Sequence, residues 1–209
     1  VKLLFSGGIG TGKSSVLSVV RTALRDAGQV VLTRPPRPED APDAPKRLIA
    51  ATVNGVRIVN TYIPNGTELW TEKFTFKLDW LHRLRRMFDE DCSLDSNVLL
   101  CGDFNVAPDE LDVWSVPQWQ GKLHFSMPER AAMHHVKQWG FVDAFRHKNG
   151  DAQEFSWWNY REGAWQRNQG LRIDHIWVSP PLAEKCTGCW IDKAPRGQER
   201  PSDHTPVVA

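Results

Sequence analysis

Val98-Leu99-Leu100-Cys101-Gly102-Asp103-Phe104-Asn105 is the stretch on which the reading of the fold turns. Four consecutive apolar residues closed by a glycine are the pattern of a short buried strand. The Asp-x-Asn behind them places two oxygen-bearing side chains at the strand's end. A second acid, Asp174, sits inside the run Leu171-Arg172-Ile173-Asp174-His175-Ile176-Trp177, and a third, Asp203, stands beside His204 ahead of the terminal apolar residues. An acid within an apolar strand costs several kcal/mol unless it has a partner, and a histidine is a natural one, so an Asp–His pair is expected. Each acid alone reads as a turn or cap residue. Three of them at strand ends read together as a site for a hard divalent cation, which needs oxygen ligands at a rigid edge while phosphate and water fill the remaining positions.

Around that stretch, strand and helix patterns alternate. Residues 47–53 and 56–62 are β-rich runs about Asn54-Gly55 and predict a hairpin with a primed turn. Phe74, Leu78, Leu81, Leu84 and Phe88 recur at steps of four, three, three and four, the stripe of an amphipathic helix. Arg83, Arg85 and Arg86 lie mostly off that stripe and read as its solvated face. Ser126-Met127-Pro128-Glu129 combines a capping box with an early-turn proline, Ala132, Val136 and Trp139 line the helix it starts, and Gly140 stops it. Further strands are expected over residues 155–160, 171–179, 189–192 and 205–208.

Residues 1–34 have a different vocabulary. Leu3-Leu4-Phe5, the glycine-rich Gly7-Gly8-Ile9-Gly10-Thr11-Gly12-Lys13-Ser14, a helical stretch through about Ala27 and Val30-Val31-Leu32 read as a βαβ unit. Gly7, Gly12, Lys13 and Ser14 satisfy the phosphate-loop pattern in its required context, so ATP is a candidate ligand there. This segment resembles the opening of a P-loop NTPase. Five prolines within residues 35–45 exclude helix and sheet interior and mark a linker. The chain opens at Val1 in an apolar run, with neither an initiator methionine nor a signal-peptide pattern, and reads as a trimmed chain or a piece of a longer one.

At 209 residues with 41% hydrophobic and 24% charged side chains, the composition is that of an ordinary globular domain and excludes a disordered or collagen-like chain. Lys and Arg exceed Asp and Glu by 26 − 25 = 1, so no global field draws the chain to a polyanion, and any such site is local. No apolar run approaches the roughly 18 residues of a membrane span. The protein is expected to be soluble, without a membrane partner. Cys92, Cys101, Cys186 and Cys189 are too few for a disulfide framework, which points to the reducing cytoplasm. Cys186-Thr-Gly-Cys189 lacks the second ligand pair of a structural zinc site and reads as two ordinary thiols.

Residues 46–209 resemble the exodeoxyribonuclease III family of abasic-site endonucleases, within the endonuclease/exonuclease/phosphatase superfamily. The strings that bear the likeness are Asn60-Thr61-Tyr62-Ile63-Pro64-Asn65-Gly66, Gly102-Asp103-Phe104-Asn105-Val106-Ala107-Pro108, Gly140-Phe141-Val142-Asp143-Ala144-Phe145-Arg146-His147, Phe155-Ser156-Trp157-Trp158-Asn159-Tyr160-Arg161, Gly170-Leu171-Arg172-Ile173-Asp174 and Pro201-Ser202-Asp203-His204. The resemblance implies an α/β fold in which two packed β-sheets are flanked by helices, here a partial sandwich formed by the C-terminal portion of the nuclease domain behind the βαβ unit. It implies Mg-dependent (or Mn-dependent) phosphodiester hydrolysis on double-stranded DNA with abasic sites, as endonuclease and 3'-5' exonuclease in DNA repair. Asp103 would orient or deprotonate the attacking water, Asn105 would bind phosphate, and Tyr62 would touch the scissile phosphate. Asp174 would hold His204 against the phosphoryl oxygen, Asp203 would act near the metal, and Trp157 and Leu171 would receive the base-less sugar.

The family also places an Asn and a metal-binding Glu on N-terminal strands. Residues before 46 contain no Asn, and their acids are Asp26, Glu39, Asp40 and Asp43, in a helical pattern and a proline-rich linker. Weak magnesium affinity and little or no nuclease turnover are therefore expected of this chimera-like chain. Two other readings stand beside the nuclease: an ATP-binding module with Asp103 as the acid after a buried strand, and a DNA-binding remnant without catalysis.

Overall fold

A computed structural model of the chain describes residues 4–5 and 47–209. Of the N-terminal segment only strand β1 (Leu4–Phe5) is described, while Gly7, Gly12, Lys13, Ser14 and the linker lie outside the described residues. Strands β2 (Leu48–Val53) and β3 (Val56–Tyr62) form the expected hairpin. Asn54 (φ 48°) and Gly55 (φ 77°) both take the positive φ that a type I′ turn demands. Helix α1 (Glu72–Asp91) starts where the Thr71 side chain accepts the Phe74 amide. Strand β4 (Val98–Asp103) follows, then a short 3₁₀ turn (Glu110–Asp112) and the short helix α2 (Val116–Trp119). Helix α3 (Met127–Lys137) carries the expected Ser126/Glu129 capping box, and β5 (Val142–Asp143) runs directly into α4 (Ala144–Asn149). The chain ends in β6 (Asp174–Val178), α5 (Pro180–Ala183), β7 (Trp190–Ile191) and β8 (Val207–Val208).

These strands make two small sheets, ordered β2-β3-β4-β6-β5 and β1-β8-β7. Side chains alternate across a strand, so each face of the five-stranded sheet collects its own residues. Val59, Val98, Leu100 and Trp177 point to one face and pack with Leu81, Leu84 and Phe88 of α1 and Met133 and Val136 of α3. Leu99, Cys101, Ile176 and Val178 point to the other and meet Val207 and Ile191 of the small sheet, with Phe145 of α4. Two packed layers with helices outside are thus written into the parity of the strands.

Two expectations are corrected. Residues 155–160 form no strand, because Trp157 bridges Leu171 on one side and His204 on the other, and neither pairing extends into a ladder. On α1 the buried positions are Phe74, Lys77, Leu81, Leu84 and Phe88, with Leu78 only partly covered. A lysine, three residues beyond Phe74, occupies the place on the apolar face that the leucine was expected to fill. Arg83 and Arg86 are exposed as expected, and Arg85 pairs with Asp89 one turn along. All four cysteines are free thiols, and among the described residues no helix is long and apolar enough to cross a membrane.

The approach to β6 is fixed by a buried ion cluster. Arg172 bonds Asp112 through Nε (2.8 Å) and Asp143 through Nη2 (2.8 Å), and Arg146 adds a second contact to Asp112 (2.5 Å). The cluster ties the 3₁₀ turn, the β5–α4 junction and the residue two before Asp174 into one unit. Burial alone would raise both carboxyls, but the Arg172 charge and hydrogen bonds outweigh it and hold Asp112 and Asp143 below the ordinary carboxylate range. Their contribution to stability is present above the unfolded carboxyl pKa of about 4 and is lost as pH falls through the lower folded values. Replacing Arg172 by Met leaves two buried carboxylates short of a partner and is expected to cost roughly 3–5 kcal/mol at pH 7. Asp112 keeps Arg146, so Asp143 is the carboxyl left without a guanidinium, and burial then pushes its folded pKa above the unfolded one. The deficit therefore shrinks as pH falls toward 5, which urea unfolding of both proteins at the two pH values measures.

Candidate active site

Strand register alone assembles the first three site residues. Tyr62 of β3 pairs with Asp103 of the parallel β4, and Asp103 pairs with Asp174 of the antiparallel β6. All three stand in one row across the end of the sheet, about one strand spacing apart. They share the parity of Leu99, Cys101 and Ile176, so the row lies at the mouth of the gap between the two sheets. His204 enters from the opposite side, three residues before β8. Asp103, Asp174 and His204 each offer a ligand atom within 4.8 Å of the others, and all three are buried.

Each member is held by local backbone chemistry. Asp103 Oδ1 accepts the Asn105 amide (2.9 Å) and Oδ2 accepts Asn105 Nδ2 (3.2 Å), a closed Asp-x-Asn turn. The turn requires left-handed backbone at Asn105 (φ 52°), which asparagine tolerates better than most residues. Asn105 Nδ2 also donates to Ile63 O (2.9 Å), and Asn65 Nδ2 donates to Asn105 Oδ1 (3.1 Å). Asp174 Oδ2 accepts Ser156 Oγ (2.7 Å) and His204 Nδ1 (2.8 Å), the expected Asp–His pair. Ser156 Oγ in turn accepts the amides of Ile173 (3.1 Å) and Asp174 (3.0 Å), which fixes the start of β6 under the carboxylate.

Burial would lower the His204 pKa, but Asp174 first, with Asp103 and Asp203 behind it, raises it to about 9. At neutral pH the ring is an imidazolium, and its Nε2 faces Asp103 Oδ2 at 3.9 Å. Tyr62 is raised by its own burial and by the Asp103 charge, which keeps the phenol protonated and able to donate. The Arg47 guanidinium lies 5.0 Å from the center of the Tyr62 ring. His124 is lowered to about 4 by burial and by the nearby Lys77 charge, so it is neutral.

The remaining expected residues fall around this center in different ways. Asp203 is not among the three converging ligand atoms, and its Oδ2 accepts Trp157 Nε1 (2.9 Å). Trp157 is half-buried beside the site, its ring 6.4 Å from that of His124. Leu171 is fully buried and packs with Val113, Phe125 and Ile173 beneath Trp157, so it backs the surface without forming it. Ser156, Asn65, His124 and Lys77 were not singled out by the sequence. Ser156 and Asn65 stand inside strings that carry the family likeness but show no chemistry of their own there, and Lys77 lies beside the expected apolar stripe, where periodicity passes over a charge.

The donor set fits a divalent cation. Among the described residues Asp174 Oδ1 is buried with no hydrogen-bond partner, and two carboxylates face each other with one imidazolium between them. A hard cation satisfies the orphaned oxygen and offsets the surplus negative charge, with carboxylate oxygens as its protein ligands. Magnesium and manganese both suit such oxygens, manganese being the more tolerant of a nearby imidazole.

Residues 10–204 match the model of the Endonuclease/Exonuclease/phosphatase family. The match begins inside the segment read from sequence as a P-loop unit. The chain is 35% identical over 184 residues to the exodeoxyribonuclease III of Haemophilus influenzae, covering 82% of this chain and 69% of that enzyme. An AP endonuclease from Archaeoglobus fulgidus superposes with a TM-score of 0.80 at 36% identity, over 86% of this chain and 69% of that one. A 3' phosphatase from Neisseria, NExo, bound to a product DNA hairpin, gives 0.83 at 29% identity over 100% and 98% of the two chains. This chain thus spans a little over two thirds of the first two relatives. It belongs to the endonuclease/exonuclease/phosphatase family, in its exodeoxyribonuclease III-like branch.

Gly102 is the backbone condition for the acid row. Its φ is 127°, and a Cβ there would lie 2.0 Å from the Thr61 carbonyl oxygen, so any side chain forces β3 and β4 apart just before Asp103. Gly102→Ala is expected to cost roughly 3 kcal/mol or more through strain and overpacking. Chemical denaturation of the two proteins checks it.

Proposed function

We propose that this member of the exodeoxyribonuclease III-like branch hydrolyzes phosphodiester bonds of double-stranded DNA at abasic sites and removes nucleotides from 3' ends, with magnesium or manganese as cofactor. The observation that carries the reading is the buried convergence of Asp103, Asp174 and His204 at one end of the sheet. The names of the similar enzymes, an exodeoxyribonuclease and an AP endonuclease, point the same way. A cytoplasmic site of action goes with the four free thiols.

Asp103 and Asp174 would hold the ion, with Asp203 next along from His204 as a further carboxylate near it. The ion would neutralize charge on the phosphoryl oxygens. Asp103 accepts the proton of the attacking water as its oxygen bonds to phosphorus and the bond to the leaving sugar oxygen breaks. His204, kept cationic by Asp174, donates from Nε2 to a phosphoryl oxygen, where negative charge builds in the transition state. Tyr62 donates its phenol proton to the same phosphate. Asn105 turns an Nδ2 hydrogen from Asp103, the longer of its two bonds, toward phosphate. Trp157, steadied by Asp203 and backed by Leu171, offers a flat wall to a sugar that carries no base.

Incision of an abasic-site duplex by the purified chain is expected to require magnesium and to stop with EDTA. Asp103→Asn is expected to lower the rate by about 10²–10⁴-fold, the usual contribution of a general base. Absence of metal-dependent incision in the parent chain would overturn this reading. Metal-independent binding to abasic duplex without cleavage would favor the binding remnant in its place.

A further inference from the structure

Lys77 lies on the core-facing side of α1 with no exposed surface, where burial lowers its pKa. An aliphatic residue would fill that position of the stripe at no desolvation cost, so the charge needs a reason. Its surroundings supply one. Nζ donates to the Asn105 carbonyl (2.7 Å), the Asn65 carbonyl (3.1 Å) and Glu129 Oε1 (2.5 Å). An ammonium has three hydrogens and no lone pair, and all three are used.

The three partners are not equivalent. Glu129 is the capping residue of α3. Its Oε2 accepts the Ser126 amide (3.1 Å) and hydroxyl (2.5 Å), and its Oε1 also accepts the His124 amide (3.0 Å). It therefore anchors the ammonium to a helix terminus that is itself fixed. The two carbonyls belong to the loops that leave β3 and β4, whose Asn65 and Asn105 side chains bond each other and, through Asn105, reach Asp103. His124 Nδ1 approaches the same Asn105 carbonyl (2.7 Å), which is thus held from two directions in its left-handed conformation. The lysine stem runs beneath the first loop, with its Cδ 3.1 Å from where a Cβ on Gly66 would sit.

We propose that Lys77 is a positioning residue for the Asp103–Asn105 turn: from its anchor on Glu129 it clamps the Asn65 and Asn105 carbonyls, so that the amide and carboxylate of the turn keep one geometry toward phosphate. The inference rests on the nuclease reading for its functional consequence, and on the geometry alone for the clamp. Loss of the clamp leaves the Asn65 carbonyl without its lysine donor and the Asn105 carbonyl with His124 alone, which loosens the turn while the core beneath α1 stays packed.

The test separates this role from a merely structural charge pair. Lys77→Met alone strands Glu129 and is expected to destabilize the fold. Lys77→Met combined with Glu129→Gln removes both charges and is expected to restore much of the thermal stability. In that double variant the backbone and side-chain amide resonances of Asn105 are expected to shift while the backbone amides of Leu84 and Trp177 stay in place. On abasic duplex with magnesium, kcat is expected to fall about 10–100-fold, in the range that misplacement of a reacting group by about 1 Å produces, with KM changed less than about threefold. Asn105 resonances unmoved in the folded double variant, or kcat restored along with stability, would overturn the clamp. Failure of the parent chain to incise would strike the nuclease reading instead, and the Asn105 resonances would still decide the clamp.

Discussion

Two carboxylates paired across adjacent strands repel each other, and the architecture around Asp103 and Asp174 follows from that repulsion. The β4–β6 register puts them side by side, and burial deepens the conflict because low dielectric strengthens every charge interaction. Each is answered separately. Asp103 is capped by the amide and side chain of Asn105, and Asp174 by a serine hydroxyl and an imidazolium. The answers come from different parts of the chain: the loop after β4, the segment at 156 and the approach to β8. A fold that brings these together has its middle and its C-terminal strands committed to one spot.

The same logic operates one layer down. Arg172 precedes Asp174 by two residues, and its ion cluster with Asp112 and Asp143 ties the entry of β6 to the turn at 110–112 and to α4. Ser156 fixes the intervening amides. Geometry at Asp174 is thus set from outside the site by groups that never meet a substrate. His175, wedged beside the cluster and lowered to about 4 by burial and by the Arg172 charge, stays neutral and serves as packing with one bond to the Val106 carbonyl (3.2 Å).

Most of the sheet was legible because strand parity and turn chemistry are local. The Asn54-Gly55 turn, the Ser126–Glu129 capping box and the buried run into Asp103 each have a mechanism that acts within a few residues. The acids at strand ends and the expected Asp–His pair pointed to one cation site, and the family resemblance supplied the roles of Asp103, Asp174 and His204, since nothing local ties residues so far apart. Residues 155–160 misled because an aromatic run with small residues has strand composition, while Trp157 spends its backbone on two different neighbors. Leu78 and Lys77 were misjudged for one reason: periodicity counts apolar residues, and a buried lysine with three acceptors is invisible to it.

Charge finally explains how a nearly neutral chain can handle a polyanion. The net charge of +1 supplies no attraction at a distance, and among the described residues the mouth of the gap carries Asp103 and Asp174 against His204, with Asp203 on Trp157 and Arg47 beside Tyr62. A phosphodiester brought there adds one more negative charge to a surplus of them. Phosphate and a divalent cation therefore enter the site as each other's counterion, and by linkage whichever binds first tightens the other by the same factor. His204 can offset one charge, and only while Asp174 keeps it protonated. Among the described residues the buried Asp174 Oδ1 has no donor, and a cation that arrives with phosphate supplies the positive charge this oxygen lacks.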